Sequence, residues 1–385
     1  MLIAILISIL LFVPYATLII FYYKSWKSIS DFNSLKSNYT TKISVIIPAR
    51  NEERNIIKCL RTLKNQTYPK DLYEVIVIDD HSTDNTWNVL QNFSFSEMKC
   101  KKLKLADFIT DSNKSNSYKK KAIEAGINNA EGNLIVTSDA DCIFNNSWLQ
   151  VIADFYETSQ AKFIAAPVKI NCNNSLLAIF QTLDFITLQG ITAASVFKKF
   201  HSMCNGANLA YEKKIFFEVD GFKNIDNIPS GDDMLLMHKI YKKYPEGVFF
   251  LKNKIAIVTT QAEASWKNFF NQRIRWASKA DMYDDKRIFW VLLLVYYFNL
   301  LFLVLCIASF WNIQYIILAV ALLALKVIIE FPFARSVAKF FDQQYLMIYF
   351  LFLQPLHILY IIISGWFGKF GSYQWKERKV VNHNL

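Results

Sequence analysis

Apolar residues gather toward the two ends of this 385-residue chain, in long stretches over residues 1–23, 288–333 and 345–367, while residues 24–287 carry nearly all the charge. As a helix rising 1.5 Å per residue, residues 2–23 reach about 33 Å, enough to cross a bilayer core of about 30 Å. No basic segment precedes this stretch and no small-residue cleavage site follows it, so it reads as an uncleaved anchor, not a signal peptide. Lys24 and Lys27 then mark its cytoplasmic end. If all three later stretches also span, the tail with Lys369, Lys376, Arg378 and Lys379 falls outside, against the positive-inside bias. One stretch is therefore expected to lie in the interface or re-enter, and residues 313–333 are the weakest span because they hold Lys326, Glu330 and Pro332. At most four membrane segments are expected.

Between the ends the pattern alternates. Residues 43–47 form a compact β-branched run, and residues 55–63 then place Ile56, Cys59, Leu60 and Leu63 at helical spacing. Residues 74–78 read as a second strand ending in Asp79 and Asp80, with a helical stretch over 85–90; residues 134–137 read as a third, ending in Ser138, Asp139 and Asp141. Continuous apolar strands separated by helices predict an α/β domain with a mostly parallel sheet, in which ligands bind beyond the carboxyl ends of the strands. No glycine-rich dinucleotide or P-loop fingerprint is present, which removes most of the case for an oxidoreductase or ATPase. The division expected is an anchor at 1–23, a cytosolic domain at 24–287, apolar helices at 288–367 and a basic tail at 368–385.

Composition agrees with the membrane reading: 53% of residues are hydrophobic and 19% charged, which excludes a disordered or small disulfide-rich protein. The net charge of +11 suits an anionic membrane surface better than nucleic acid once such helices are present. The lysines around 99–104 and 119–121 read, apart from Lys119, as solvated charge. Six scattered cysteines, Cys59, Cys100, Cys142, Cys172, Cys204 and Cys306, show no metal-ligand spacing and read as buried, reduced thiols of a cytosolic compartment.

The polar clusters at the strand ends carry the candidate chemistry. Asp139 and Asp141, at i and i+2 in a loop, suit a divalent ion bridging diphosphate oxygens, although a lone D-x-D is more often turn chemistry. Pro48, Arg50 and Glu52 follow the first strand and Asp79 ends the second, at an edge where a base and ribose could be held. Ser82 and Asp84 read as turn and cap residues. In order, VIIPARNEERNI, VIVIDDHSTDNT, the lysine-to-DAD stretch, SGDDMLL and QRIRW resemble the GT-A domain of family 2 glycosyltransferases, poly-N-acetylglucosamine, hyaluronan and cellulose synthases included, over most of residues 42–280.

That resemblance implies an inverting, metal-dependent hexosyltransferase using a nucleotide sugar, a UDP-sugar first. It implies Mg²⁺ or Mn²⁺ at Asp139 and Asp141 and the uridine part at Glu52 and Asp79. It puts Lys119 near the diphosphate, although Tyr118 stands where relatives often have glycine and Lys120 or Lys121 could take the role. It makes Asp233 the base, with Asp232 beside it as the next candidate. Gln272, Arg275 and Trp276 would meet the acceptor or leaving group eleven residues before Ile288, where Trp276 can stack on a sugar ring. The competing picture of this segment is an interfacial helix whose Trp266, Phe269, Phe270 and Trp276 enter lipid beneath Arg273, Arg275 and Lys279. The expected acceptor is a membrane lipid or a growing glycan, with polysaccharide synthesis ahead of single glycolipid transfer and an oligomer or export partner in view. A non-catalytic membrane scaffold or sugar-nucleotide-binding module is the alternative of another class.

Overall fold

A computed structural model describes the chain except residues 34–37, 95–97, 110–116, 201–202, 227, 229–230, 280–284, 376–377 and 382–385. Its strands are β1 (Ile43–Ala49), β2 (Tyr73–Asp79), β3 (Lys99–Lys104), β4 (Leu134–Thr137), β5 (Phe163–Ala165), β6 (Val168–Asn171), β7 (Leu209–Glu212), β8 (Val248–Phe250), β9 (Val258–Gln261), β10 (Ser372–Trp375) and β11 (Arg378–Val381). Its helices are α1 (Leu2–Ser28), α2 (Ile56–Lys64), α3 (Thr86–Asn92), α4 (Tyr118–Asn128), α5 (Trp148–Ser159), α6 (Leu176–Lys198), α7 (Lys213–Glu218), α8 (Met234–Lys243), α9 (Trp266–Ala277), α10 (Lys286–Ala308), α11 (Gln314–Phe340) and α12 (Phe350–Phe370). They form two compact units: Ser30–Asn171 with Ser202–Gln261, and Met1–Ile29 with Cys172–His201 and Ala262–Leu385.

The first unit is built on a seven-stranded sheet of order β3-β2-β1-β4-β7-β5-β8. The strands β3, β2, β1 and β4 run parallel, β7 is antiparallel to both its neighbours, and β5 pairs parallel with β8. This is the expected mostly parallel α/β sheet. Strands β2 and β4 are buried throughout, as continuous apolar runs require when helices cover both faces. β1 outruns β4, since their pairing ends at Ile46 opposite Thr137. The carbonyls of Lys42 and Ile46 turn toward the β4 side, accepting from Leu134 and from Ser138 just past β4. Pro48 shares their parity but lies past the end of β4, where its missing N–H costs no ladder bond.

The lysine run at 99–104 forms the edge strand β3, none of whose residues is buried, so its solvated charge is carried on a strand. Lys101 Nζ lies 3.1 Å from Glu74 Oε2 and 3.0 Å from Glu131 Oε1, and Lys99 also pairs with Glu131. Hydrogen bonds from Lys99 and Lys101 hold the Glu131 carboxyl down at about 2. An edge lined with lysine also resists pairing with another chain.

In the second unit, α1, α6, α10, α11 and the 344–370 segment that includes α12 are each long and apolar enough to cross a membrane by length and composition. That makes five among the described residues, one more than expected. Helix α6 escapes the apolar pattern because Gln181, Asp184 and Gln189 interrupt it, yet it is largely buried against α1 and α11. The two units also cut the chain differently from the expected 24–287 division, because α6 and α9 pack with the apolar helices.

Helix α11 is continuous through Lys326, Glu330 and Pro332, so the reason for doubting residues 313–333 falls away. Lys326 Nζ lies 2.7 Å from Glu330 Oε1 and donates to Gln354 Oε1 at 2.6 Å. Gln354 donates to Glu330 at 3.0 Å and Tyr15 donates to the same carboxylate. Each charge is thus neutralised inside the bundle, as apolar surroundings demand. Of the six free cysteines only Cys59 and Cys142 are buried; Cys306 is exposed on α10, which corrects the reading of all six as core thiols. Beyond α12, β10 pairs antiparallel with β11, and Lys376 of the tail lies outside the described residues.

Candidate active site

The carboxyl ends of β1 and β2 are stitched together by their polar residues. Arg50 is buried and donates to the carbonyls of Asp80 at 2.8 Å and His81 at 2.9 Å, so it holds the β2 turn. Asn51 and His81 both take left-handed backbone conformations, at φ 53° each, to turn away from the sheet. Asn51 N–H donates to Ser82, Asn51 Oδ1 accepts from Thr83 N–H at 2.8 Å, and Glu52 N–H donates to Thr86. Asp84 accepts from the backbone of Thr86 and of Glu53, the turn and cap chemistry expected of it. Glu52 accepts from Asn55 at 2.9 Å. Asp79 is buried, one carboxylate oxygen facing Ser82 N–H at 3.4 Å; its Oδ1 has no hydrogen-bond partner among the described residues. A buried acceptor left in that state is suited to an incoming N–H donor.

A second cluster gathers residues far apart in sequence. Lys119, in the first turn of α4, places Nζ 2.8 Å from Asp139 Oδ1 and 3.2 Å from Asp232 Oδ2. Burial opposes charge on this lysine, but Asp139, Asp232 and Asp233 outweigh it and hold the ammonium's pKa well above the ordinary lysine value. Burial first, then the Asp232 charge, pushes up the phenol of Tyr211.

Asp233 caps α8. Its Oδ1 accepts from Met234 N–H at 2.7 Å and its Oδ2 from Gly206 N–H at 3.1 Å. Space at 206 is tight: a Cβ there would stand 3.2 Å from Asp232 Oδ2 and 3.3 Å from Lys119 Nζ, so a larger residue would displace one of those side-chain ends. The D-x-D carboxylates have different partners, since Asp141 Oδ2 accepts from Thr260 Oγ1 at 2.7 Å. Burial, then Asp141, Glu52 and Asp139 in that order, push up the Cys59 thiol, so acids of both strand-end loops act on one buried group.

Among the described residues no three His, Cys, Asp or Glu side chains are placed to hold an ion alone. Asp139 and Asp141 offer hard oxygen donors that fit Mg²⁺ or Mn²⁺ when substrate phosphates complete the coordination.

The sequence left Lys119, Lys120 and Lys121 as alternatives, and only the fold separates the first two. Lys120 is buried and spends its ammonium on the carbonyls of Ile225 at 2.5 Å and Ile228 at 2.9 Å, pinning the loop that leads to Asp232. No periodicity signalled that role.

In the other unit, Gln272, Arg275 and Trp276 lie on α9, whose first turn is capped by Ser265 accepting from Asn268 N–H. Gln272 Nε2 donates to Glu263 at 2.9 Å, and Trp276 packs against Phe185 with ring centroids 6.4 Å apart. The interfacial-helix picture needs correction in three places. Phe269 is fully buried against Phe180 and Tyr360, Arg273 is buried and bonded to Asp184 instead of riding on the polar face, and Lys279, just past the helix, is buried as well. Sequence reasoning missed both members of that pair; an arginine next to Gln272 and an aspartate inside an apolar helix were the available signals.

Residues 44–217 match Glycosyl transferase family 2, and residues 134–367 match Glycosyl transferase family group 2. The chain is 28% identical over 239 residues to the probable glycosyltransferase YdaM of Bacillus subtilis, covering 61% of this chain and 54% of that protein. It is 28% identical over 192 residues to the glycosyltransferase AglE of Haloferax volcanii, covering 50% and 59%. It thus spans little more than half the length of these two relatives. A third, the dolichyl N-acetyl-alpha-D-glucosaminyl phosphate 3-beta-D-2,3-diacetamido-2,3-dideoxy-beta-D-glucuronosyltransferase of Methanococcus voltae, is 26% identical over 269 residues, 68% of this chain and 79% of that protein. Among solved structures, the mannosyltransferase PcManGT of Pyrobaculum calidifontis, in complex with GDP-Man and Mn²⁺, superposes with a TM-score of 0.57 at 18% identity over 94% of this chain and 97% of that one. That likeness is one of fold.

Proposed function

The chain belongs to glycosyl transferase family 2, and on that premise we propose that it is a membrane-bound inverting enzyme carrying a sugar from a nucleotide donor, a UDP-sugar first, to a membrane-associated acceptor. The observation that carries the proposal is the meeting of Lys119, Asp139, Asp232 and Asp233 within hydrogen-bond reach of one another or of Gly206. One cation among three acids, at the sheet end where donors bind in such folds, suits a leaving diphosphate beside a base.

In this reading Asp79 Oδ1 accepts the imide N–H of uracil, which gives the buried oxygen its missing partner. Lys119 exchanges part of its carboxylate contact for phosphate oxygen and neutralises charge as the glycosidic bond to the diphosphate breaks. Asp233 takes the proton of the acceptor hydroxyl while that oxygen attacks the anomeric carbon from the opposite face, so a single displacement inverts the configuration. Two of the roughly four acceptor sites of its carboxylate hold backbone N–H groups, which fixes the direction of the others. A divalent ion held by Asp139 and Asp141 would add positive charge to the diphosphate. The Mn²⁺ in the PcManGT complex supports Mn²⁺ as the ion to try first.

A growing polysaccharide is the acceptor we place first, on the likeness of the motifs to those of polymer synthases. The relative that acts on a dolichyl-linked sugar phosphate favours a lipid-linked acceptor and a single transfer. Trp276 and Arg275, on a helix packed with the apolar ones, serve either acceptor as a ring-stacking face and a hydrogen-bond donor. The test is to supply the purified full chain in lipid bilayers with Mn²⁺ and a panel of UDP- and GDP-sugars, then weigh the products. One added sugar per lipid supports the second acceptor and a ladder of masses the first. No sugar on any membrane acceptor, with every donor tried, would overturn the proposal.

A further inference from the structure

We infer that the buried Asp184–Arg273 pair is a positioning device for the acceptor-side helix α9, one that sets how tightly the acceptor is held and leaves donor binding alone. The inference rests on the reading of Gln272 and Trp276 as acceptor residues. Arg273 stands between them in sequence but is almost wholly enclosed, with its side chain 1% exposed and that of Asp184 3% exposed. Its Nε and Nη2 both donate to Asp184 Oδ2, at 3.0 and 2.7 Å, and its Nη1 donates to Gln272 Oε1 at 2.7 Å. The same guanidinium lies 4.2 Å from the ring centroid of Trp276 and 4.8 Å from that of Phe269. One buried cation therefore touches both proposed acceptor side chains, one residue before it and three after.

The consequence for each side chain differs. With its oxygen occupied by Arg273, the Gln272 amide is fixed in one orientation and its N–H groups point the other way, where Glu263 Oε1 receives one at 2.9 Å. Glu263 is fixed in turn, because Gln181 of α6 donates to its carbonyl at 3.0 Å and accepts from its N–H at 2.9 Å. The indole of Trp276 lies against both the guanidinium and, at a tilt of 39°, the ring of Phe185, the neighbour of Asp184, and these two contacts fix the plane of the indole. On its far side Asp184 Oδ1 faces His357 Nε2 of α12 at 3.8 Å. A buried ion pair is a poor source of stability, and an apolar pair of similar volume would fill the space as well. What an apolar pair cannot do is orient an amide and an indole together. Lysine cannot replace the arginine either, since it lacks the planar fork and the stacking face.

The experiment uses the full chain in bilayers and compares Asp184→Leu/Arg273→Met, Arg273→Lys and Trp276→Ala with the parent. Melting temperature, donor Kd by calorimetry, and initial transfer rates against acceptor concentration are measured on each. The double variant is expected to melt near the parent and bind donor with unchanged Kd, while its acceptor KM rises about tenfold and kcat stays within about threefold. Arg273→Lys should show a smaller rise of the same kind. A folded double variant with the parent's acceptor KM overturns the inference. Should the double variant not fold, Arg273→Lys decides, and a parental acceptor KM in that variant overturns it equally. If Trp276→Ala raises the acceptor KM and the pair variants do not, only the positioning role falls. If Trp276→Ala leaves the acceptor KM unchanged, the acceptor reading of α9 falls and the inference with it.

Discussion

Replacing Asp233 by asparagine separates a base from a helix cap, because the two roles respond with different magnitudes. The carboxylate accepts from Met234 N–H at 2.7 Å and from Gly206 N–H at 3.1 Å, one bond to each oxygen. Asparagine caps as well as aspartate does, so the Met234 bond survives. Its amide nitrogen must then face the Gly206 N–H, and a charge-assisted bond worth about 1.5 to 3 kcal/mol is lost. For a domain of this size that lowers Tm by about 3 to 12 °C. Such a loss leaves the enzyme folded at 25 °C, whereas loss of a general base removes about 10² to 10⁴ in rate. Melting curves, donor calorimetry and initial rates on one preparation check all three. Asp233→Asn should melt lower, bind donor with unchanged affinity and lose at least about 10² in transfer. A variant that melts lower yet transfers within about threefold of the parent would show Asp233 to be a cap, and the base would pass to Asp232.

Lys119→Met should remove about 10 to 10² in transfer and leave Tm within a few degrees, whereas Lys120→Met should cost about 1 to 3 kcal/mol of stability by stranding the carbonyls of Ile225 and Ile228; the reverse assignment in paired melting and rate measurements would exchange their roles. Because the pKa of Lys119 is raised, its contribution to stability is complete below the unfolded value of about 10.4 and is lost only as pH climbs through the higher folded value. The Tm difference between parent and Lys119→Met should therefore be flat from about pH 6 to 9, and a steep change in that window contradicts the pairing. Excess EDTA should stop nucleotide release and added Mn²⁺ restore it; full turnover in EDTA counts against metal use. Gly206→Ala should fold, since the crowded atoms are ends of side chains, yet lose about three- to tenfold in transfer by displacing Lys119 or Asp232.

The strands that form the binding edge were legible because their chemistry is local. β1, β2 and β4 are short apolar runs whose apolar stretch gives way at Pro48, Asp79 and Ser138, and burial on both faces forces that pattern. β3 was not legible. KCKKLK has no apolar period, and it is a strand because β2 offers it an open edge and because Glu74 and Glu131 stand across from its lysines. Helix α6 hid for the opposite reason. Its Asp184 and Gln181 look like interruptions of an apolar segment until Arg273 and Glu263 appear as their partners.

The candidate site divides along the same line. That Asp139, Asp232, Asp233 and the lysine stretch belong to one candidate site could be read from motif order, and the fold brings Lys119 to Asp139 and Asp232. The choice between Lys119 and Lys120 could not, because consecutive residues on a helix point about 100° apart and nothing in the run KKK says which direction meets Asp139. That direction is set by α4 packing on β1 and β2, where Gly126 brings the helix so close that a Cβ would stand 2.7 Å from Ile46. With the helix seated at that depth, Lys119 meets two carboxylates while its neighbour meets two carbonyls. The role proposed for Lys119 thus depends on a glycine seven residues away, and for that reason a bulkier residue at 126 should disturb donor chemistry and loop anchoring together.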